Sequence, residues 1–394
     1  MKILFLILLL PTFANAMRAD LTGNVEAQTR ESMNNEQAKE DLFQDWNKEK
    51  FHLVYGNLDG KVEFDNNSFI DTNWFVRYTN SELYRNGYVA PQIMTFPRKL
   101  VARDVFQLQH KSQTDHDKTE SVLNKFFYEW DNDEQTIIVG RFYINYGQGE
   151  IFNPINPFNQ PTGLTSIQQV AQGNDGGEVR FYMNDHHILE FYLLGDKGIE
   201  NYDGKIDRTV WVHGEYQAND QLQLDYVGGE DQNRDKIGGQ ISYRLSEALV
   251  FAQTLYQTKF VNDDPSHDLW DVLLGFDQQF TNKWHFRFEG GHQKKNRFED
   301  FTTFNFGDRF LPSEYFAAIA NTYEVHPLVK VSATLINDIK TGFNYGIAKA
   351  TFDLGHSLEA ELFGFSPVGK GSSTDNPAQK LVTTDLGGAL RAFF

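Results

Sequence analysis

Hydrophobic and polar side chains alternate along most of the chain with a period of two residues. The segment Trp284-His285-Phe286-Arg287-Phe288-Glu289 places aromatic residues on one face and ionisable residues on the other. The segment 329–335 repeats this alternation with aliphatic residues. A period of two is typical of a β-strand with one apolar and one polar face. The pattern therefore predicts an all-β protein built from half-buried strands.

The predicted strands are joined alternately by short and long connections. We place eighteen strands near 51–65, 70–84, 99–110, 120–131, 134–146, 178–184, 187–195, 207–217, 220–228, 236–245, 248–260, 268–280, 283–295, 314–324, 327–337, 341–353, 356–366 and 381–394. Tight polar turns are expected at 131–134, 184–187, 217–220, 245–248, 280–283, 324–327 and 353–356, and long loops at 147–177, 196–206, 296–313 and 367–380. Short turns at one end and long loops at the other predict a closed antiparallel transmembrane β-barrel. The connection 85–98 is longer than this order predicts and 338–340 is shorter, so a count of 16 strands stays open.

The first sixteen residues have the three parts of a secretory signal peptide. Lys2 supplies a positive charge, residues 3–10 are apolar, and Ala14-Asn15-Ala16 is a small-x-small cleavage site. The apolar run is shorter than the roughly 20 residues that a transmembrane helix needs. The sequence therefore predicts export and removal of residues 1–16.

Composition agrees with an exported barrel and excludes several other classes. The mean hydropathy is −0.51, yet aromatic residues make up 14% of the chain, as expected where only alternate residues meet lipid. The net charge of −18 argues against nucleic acid as a partner, because phosphate binding needs basic surfaces. The chain has no cysteine, which excludes disulfides and thiol chemistry.

Residues 17–50 are polar and charged, unlike the strands that follow. We interpret this stretch as a periplasmic or plugging N-terminal segment, with the barrel proper at 51–394. The alternative is that the stretch contributes a strand of its own, beginning near Leu21.

The stretch GRFYINYGQGEIFNPINPF, at 140–158, begins as a strand and is then broken by glycines and prolines. Together with the signal peptide and the strand-like segment ending in Phe394, this long loop after the fifth strand resembles the pore-narrowing loop of Gram-negative outer-membrane porins. The resemblance implies that the loop folds into the barrel. It also implies a channel for small hydrophilic solutes or ions, in the bacterial outer membrane, and leaves a homotrimer open. Lipid and lipopolysaccharide are the expected partners.

Candidate site residues follow from the loop and from the strand alternation. The predicted constriction residues are Glu150, Phe152, Asn153, Asn156, Phe158 and Asp175, and the predicted pore-lining residues are Arg77, Arg141, Tyr143, Arg180, Arg244, Arg287 and Arg391. Acidic residues on the loop facing arginines on the wall would create a transverse field, which is one way that pores select ions. The alternative is that the arginines pair with Glu178, Glu215 and Glu289 and only satisfy a polar interior.

No catalytic or metal-binding motif is present. The chain has neither a His-Glu-x-x-His helix motif nor a Gly-x-Ser-x-Gly elbow, so we predict no enzyme, no metal site and no cofactor. Two alternatives to a passive channel stay open. One is a barrel that exports or takes up a specific or hydrophobic substrate with a periplasmic partner. The other is a structural or adhesive surface protein that works through loops 296–313 and 367–380.

Overall fold

The computed structural model describes most of the chain from Arg18 onward. The described residues are 18–33, 48–65, 67–81, 101–103, 105–106, 108–114, 117–158, 173–196, 207–231, 234–258, 269–293, 314–340, 342, 344–368 and 384–394. The predicted signal peptide, most of loops 296–313 and 367–380, and residues 159–172 of the long loop lie outside them. Within these ranges no helix is long and apolar enough to cross a membrane.

Every regular element in the described ranges is a β-strand. The strands are β1 (Arg18–Met33), β2 (Lys48–Asp65), β3 (Ser68–Ser81), β4 (Val101–Arg103), β5 (Gln109–Gln113), β6 (Asp117–Asp131), β7 (Gln135–Tyr143), β8 (Gly173–Asn184), β9 (His187–Asp196), β10 (Asp207–Gln217), β11 (Leu222–Asp231), β12 (Arg234–Leu245), β13 (Ala248–Gln257), β14 (Leu269–Thr281), β15 (Trp284–Gln293), β16 (Tyr315–His326), β17 (Val329–Asp338), β18 (Asn344–Gly355), β19 (Leu358–Val368) and β20 (Thr384–Phe393).

Eighteen of these strands form a closed antiparallel barrel. From β6 to β20 each strand pairs with the next one along the chain, β3 pairs with β6, and β1 pairs with both β2 and β20. At the β1–β20 seam the amide and carbonyl groups of Gly23 and Phe394 exchange two hydrogen bonds of 2.9 Å. Closure leaves no unpaired edge in the barrel. The predicted fold class and strand number are therefore confirmed.

Two strand predictions were wrong, and their errors cancel in the count. Residues 18–33 form the first barrel strand, so the barrel begins at Arg18 and not at residue 51, as the alternative of a strand near Leu21 allowed. The predicted strand 99–110 is instead split between the short strands β4 and β5. The outward face of β1 mixes the exposed apolar Leu21 and Val25 with the small or polar Gly23, Ala27 and Thr29, which weakens the contrast of its alternation. The long loop still follows the fifth barrel strand.

The connections separate the two ends of the barrel. All seven predicted tight turns lie at one end, together with the turn between β2 and β3, and each contains two to four residues. We call this the turn end and the opposite end the loop end. The five-residue connection 339–343 and the two-residue connection 232–233 are the exceptions to long loops at the loop end.

Side chains alternate between the outside and the inside of the barrel wall. Large apolar residues such as Leu193, Ile237 and Leu274 are exposed on the outward face. Their neighbours on the inward face, for example Gln240 and Asp271, are buried polar groups. Because only the outward side chains need to be apolar, a chain with low mean hydropathy can form this barrel.

The short strands β4 and β5 extend the wall where β7 ends. β5 pairs with residues 118–122 of β6, above the part of β6 that pairs with β7. β4 runs parallel to the beginning of β8. We call β4, β5 and the two residues Val105 and Phe106 between them the strap. The strap occupies the wall position that β7 leaves when the chain turns inward after Tyr143.

Candidate constriction site

Residues 144–158 turn from β7 into the barrel, and we call them the inner segment. Two glycines shape its beginning. Gly147 has φ +81°, in the left-handed region that favours glycine. A Cβ atom on Gly149 would lie 1.9 Å from the carbonyl oxygen of Phe152, so only glycine fits this turn. The glycines and prolines that interrupt the strand pattern therefore build a compact fold that leaves the wall.

A carboxylate on the wall anchors the inner segment through its backbone. Glu289 of β15 accepts hydrogen bonds from the amides of Glu150, Ile151 and Phe152 at 2.7, 3.0 and 3.2 Å. The Gln148 amide donates to Gln240 of β12 at 2.9 Å. Because buried amides without partners are costly, these acceptors fix the segment in one position.

Arg287 ties the same anchor together. Its guanidinium donates to Glu289 and Asp277, at 2.8 Å each, and to the carbonyl oxygen of Gln148. It also forms an ion pair of 3.0 Å with Glu150, whose side chain is exposed. Glu150 of the loop thus pairs directly with a wall arginine, and the transverse field predicted from such acids and arginines stays a prediction. Arg287 joins two wall strands to the inner segment.

Apolar contacts hold the inner segment against the wall on either side of this anchor. Phe152 packs edge-to-face on Phe316 of β16, with ring centroids 5.9 Å apart, and Phe158 packs on Trp211 of β10 at 5.4 Å. Two buried clusters result: Ile151 and Phe152 with Phe251, Leu273, Phe316, Ala318, Ile336 and Tyr345, and Ile144, Ile155 and Phe158 with Ile138, Phe142, Tyr192, Leu194, Trp211, Val227 and Leu255. We call the inner wall from β9 to β18 the covered half.

Asn153 and Asn156 stabilise the inner segment internally. Asn153 donates to the carbonyl oxygen of Tyr146 at 2.7 Å, and Asn156 donates to that of Ile144 at 3.1 Å. Both asparagines are buried, as are Phe152 and Phe158. Of the loop residues that sequence singled out between 150 and 158, Glu150 is the one whose side chain is exposed.

The inner wall of β19, β20, β1, β2, β3 and β6 carries accessible charges at some positions and buries residues such as Tyr55 and Phe75 at others, and we call it the charged half. Lys125 lies 2.8 Å from Asp71 and 3.9 Å from Asp59, whose side chain is 39% exposed. Tyr143, at the end of β7, lies beside these residues. Its hydroxyl accepts a hydrogen bond from the side-chain amide of Asn124 at 2.9 Å and donates one to the side-chain oxygen of Asn73 at 3.3 Å.

Two predicted lining arginines lie in the charged half. Arg391 of β20 bridges Glu26 and Glu359, at 2.6 and 2.8 Å. Arg77 of β3 pairs with Glu120 of β6 and is buried. These arginines are neutralised within the wall, as the alternative interpretation of the sequence proposed.

The structure places two more predicted lining residues on the inward face and one elsewhere. Arg180 pairs with Glu178 and Glu190, and Arg244 is exposed near the turn end. Arg141 shares its strand face with the exposed, outward-facing Val139, so its predicted position on the lumen face was wrong. The glycine-rich ladder around Gly140 hid the direction of this strand from sequence analysis.

Arg141 and Asp175 form a fully enclosed ion pair that holds the strap. The Arg141 side chain is 0% exposed and binds both carboxylate oxygens of Asp175, at 2.5 and 2.8 Å. Asp175 also accepts the amides of Val105 and Phe106 at 2.6 and 2.8 Å. The sequence prediction placed Asp175 on the constriction loop, opposite arginines of the wall, whereas in the structure it is a buried residue of β8. The strap was not predicted, since the backbone amides that Asp175 binds leave no sequence signal.

Comparisons with solved structures identify the fold. No family model matches the chain, and no curated protein matches it in sequence. The structure of OccAB4 from Acinetobacter baumannii is similar over 96% of this chain and 98% of its own, with a TM-score of 0.57 and 9% identity. OccK7 (OpdD) from Pseudomonas aeruginosa covers 97% and 98%, with a TM-score of 0.56 and 10% identity.

A third structure of the same kind was solved with a solute. OccK2 (OpdF) from Pseudomonas aeruginosa, in complex with glucuronate, is similar over 95% of this chain and 97% of its own, with a TM-score of 0.55 and 10% identity. At a sequence identity near 10%, these similarities support a shared fold but do not indicate a shared substrate. The chain therefore has the closed eighteen-strand barrel fold of these Acinetobacter and Pseudomonas outer-membrane porins.

Proposed function

We propose that the protein is a passive channel that lets small hydrophilic solutes or ions cross the bacterial outer membrane. The observation that carries the proposal is the inner segment. It is fixed to the covered half of the inner wall by Glu289 and by two apolar clusters, and it presents Glu150 on its exposed side. A rigid segment inside an otherwise polar barrel sets the width of the passage.

The charge of the wall supports a preference for cations. The accessible group at Asp59, Asp71 and Lys125 carries two acids for one base. Because rings and clusters of carboxylates favour cations in pores, we expect potassium to pass more readily than chloride.

The fold also supports the membrane location. Large apolar side chains cover the outward face, and one structure of the same fold was solved with the small hydrophilic solute glucuronate bound. Neither observation names the solute of this channel. They support a polar solute as the cargo and lipid as the surroundings.

Planar-bilayer recordings of the purified protein test the proposal. We expect discrete conductance steps in potassium chloride, a reversal potential displaced toward that of potassium, and a larger single-channel conductance after deletion of residues 152–160. Deletion of the equally long stretch 299–307 from an outer loop is the control and should leave the conductance unchanged. A protein that never conducts, or a deletion of 152–160 that does not widen the passage, would contradict the proposal.

A further inference from the structure

An apolar pocket lies on the outside of the barrel, between the strap and the strands β8 to β10. Its volume is about 360 Å³, at the small end of the roughly 300–1,000 Å³ typical of ligand pockets. The lining residues are Val105, Phe106, Asp175, Gly176, Leu193, Leu194, Gly195 and Arg208.

The strand pairing shows that the pocket opens outward. Leu193 is 59% exposed and belongs to the same outward face as Phe191, so it points away from the lumen. Arg208 of β10 pairs with Gly195 of β9, near the ends of both strands at the loop end. The pocket is therefore separated by the wall from the inner segment and from the charged half.

The pocket is built from fixed parts. Asp175 receives the backbone amides of Val105 and Phe106, and its own carboxylate is held by the enclosed guanidinium of Arg141. This ion pair leaves no charge on the pocket floor. It also fixes the strap at a constant distance from Leu193. A preformed apolar pocket of this kind binds without the cost of ordering its walls.

Arg208 is the cation among the described residues that line this pocket. Its side chain is exposed, and within the described residues it forms no ion pair, not even with Glu230 on the same outward face of β11. An exposed arginine beside an apolar pocket at the loop end matches a ligand that joins a hydrocarbon chain to an anion. Phosphate suits the planar guanidinium because it accepts two parallel hydrogen bonds.

We propose that this pocket binds one acyl chain of a phosphorylated lipid of the outer leaflet, with a phosphate of its headgroup on Arg208. The lipid A part of lipopolysaccharide carries both features. The inference rests on the barrel lying in the outer membrane as proposed above, with its loop end at the cell surface, where barrels of this kind carry their long loops. It does not require that the barrel conducts. The bound lipid would cover the strap, which is the part of the wall joined by the fewest strand hydrogen bonds.

Native mass spectrometry of the full chain in detergent, titrated with bis-phosphorylated lipid A, tests the proposal. We expect one tightly bound lipid A. Arg208→Gln should weaken its binding about tenfold, or about 1.4 kcal/mol, because it removes a charge-assisted contact with phosphate. Removal of both phosphates from the lipid should weaken binding to the unaltered protein equally, and should change binding to Arg208→Gln little. Val105→Trp, which fills the pocket, should abolish the tight site.

Matched controls keep the result decisive. Val210→Trp adds the same bulk to an outward position next to Arg208 but outside the pocket lining, and Arg244→Gln removes an arginine from the inward face. Both should bind lipid A like the unaltered protein. Heat-modified gel mobility checks that each variant is a folded barrel. If all four variants bind lipid A equally well, or all four lose its binding to the same extent, the proposed lipid site is wrong. Because Val105, Arg208 and Val210 lie away from the passage, an unchanged conductance of their variants alongside lost lipid binding distinguishes this outcome from failure of the channel.

Discussion

The covered half and the charged half of the inner wall are made from the same alternating strands but use their inward side chains differently. In the covered half, Phe251, Leu273 and Trp211 pack against the inner segment, and the charged anchor Glu289 is 0% exposed. In the charged half, Lys61 and Asp59 are 40% and 39% exposed. The covered half thus holds the inner segment, while the charged half keeps accessible charges at Lys61 and Asp59 beside buried residues such as Tyr55 and Phe75.

The difference shows how one strand pattern serves two purposes. An inward side chain can be apolar where the inner segment packs on it and charged where water reaches it. Burial makes a charge pair in the covered half depend on its partners, while solvent screens a pair in the charged half. Equal substitutions in the two halves should therefore have unequal effects.

The largest effect is expected for Glu289→Ala. It leaves three buried amides of the inner segment without their acceptor and takes one carboxylate from Arg287, which keeps Asp277. Unfolding in detergent by urea should therefore show a loss of about 3–5 kcal/mol, the typical cost of breaking a buried charge pair. Glu359→Ala is the counterpart in the charged half. Arg391 keeps its contact with Glu26 there, and we expect a loss of at most about 1 kcal/mol. Equal losses would remove the distinction between the halves.

A smaller effect is expected for Gly149→Ala. The added Cβ would meet the Phe152 carbonyl oxygen, and relieving that overlap should destabilise the protein by about 1–3 kcal/mol and make single-channel currents noisier. Gly56→Ala on β2 is the control, because a Cβ there meets nothing within 4 Å. Urea unfolding and current recordings check both variants. A quiet, stable Gly149→Ala channel would show that this turn does not hold the inner segment.

The smallest effect is expected for Lys125→Gln in the charged half. Loss of this cation leaves Asp59 and Asp71 uncompensated, so the ratio of potassium to chloride permeability should rise about twofold, or roughly 0.4 kcal/mol with RT near 0.6 kcal/mol. Reversal potentials across a salt gradient measure this ratio. Arg208→Gln on the outward face serves as control and should not alter it. A ratio that falls in Lys125→Gln would contradict the assignment of the charged half to the passage.

Sequence alone gave the barrel because its signal is repeated in every hairpin. Each tight turn and each alternating strand supports the same architecture, so one misplaced strand does not change the result. β1 was overlooked since its outward positions include Gly23 and Ala27, and 99–110 was taken as a barrel strand since Val101, Val105 and Phe106 resemble one. The strap extends the wall but does not add a strand to the ring of eighteen. Its position depends on pairing with β6 and β8, which are distant in sequence from the apolar residues of the strap.

The inner segment was predictable in kind but not in its contacts. Its prolines and glycines excluded a continuing strand, and its apolar residues needed a wall to pack on. The position of Glu289 as acceptor of three amides depends on the closure of the whole barrel, which brings residues 139 positions apart together. Arg141 illustrates the same limit, because a residue of the expected type on the expected strand faces the other side of the wall.

The seam between β1 and β20 has a consequence for how the protein is made. The contact of Arg391 with Glu26 joins residues 365 positions apart, and contacts of such separation form slowly because the intervening chain must first be ordered. Until β20 arrives, β1 and β19 each present an open row of donors and acceptors that matches the corresponding edge of another copy. Assembly thus ends with the late pairing of β1 and β20. Before that step, the open strand edges of two immature copies can pair with each other. A cell that makes this protein needs a device that shields both edges until the ring closes.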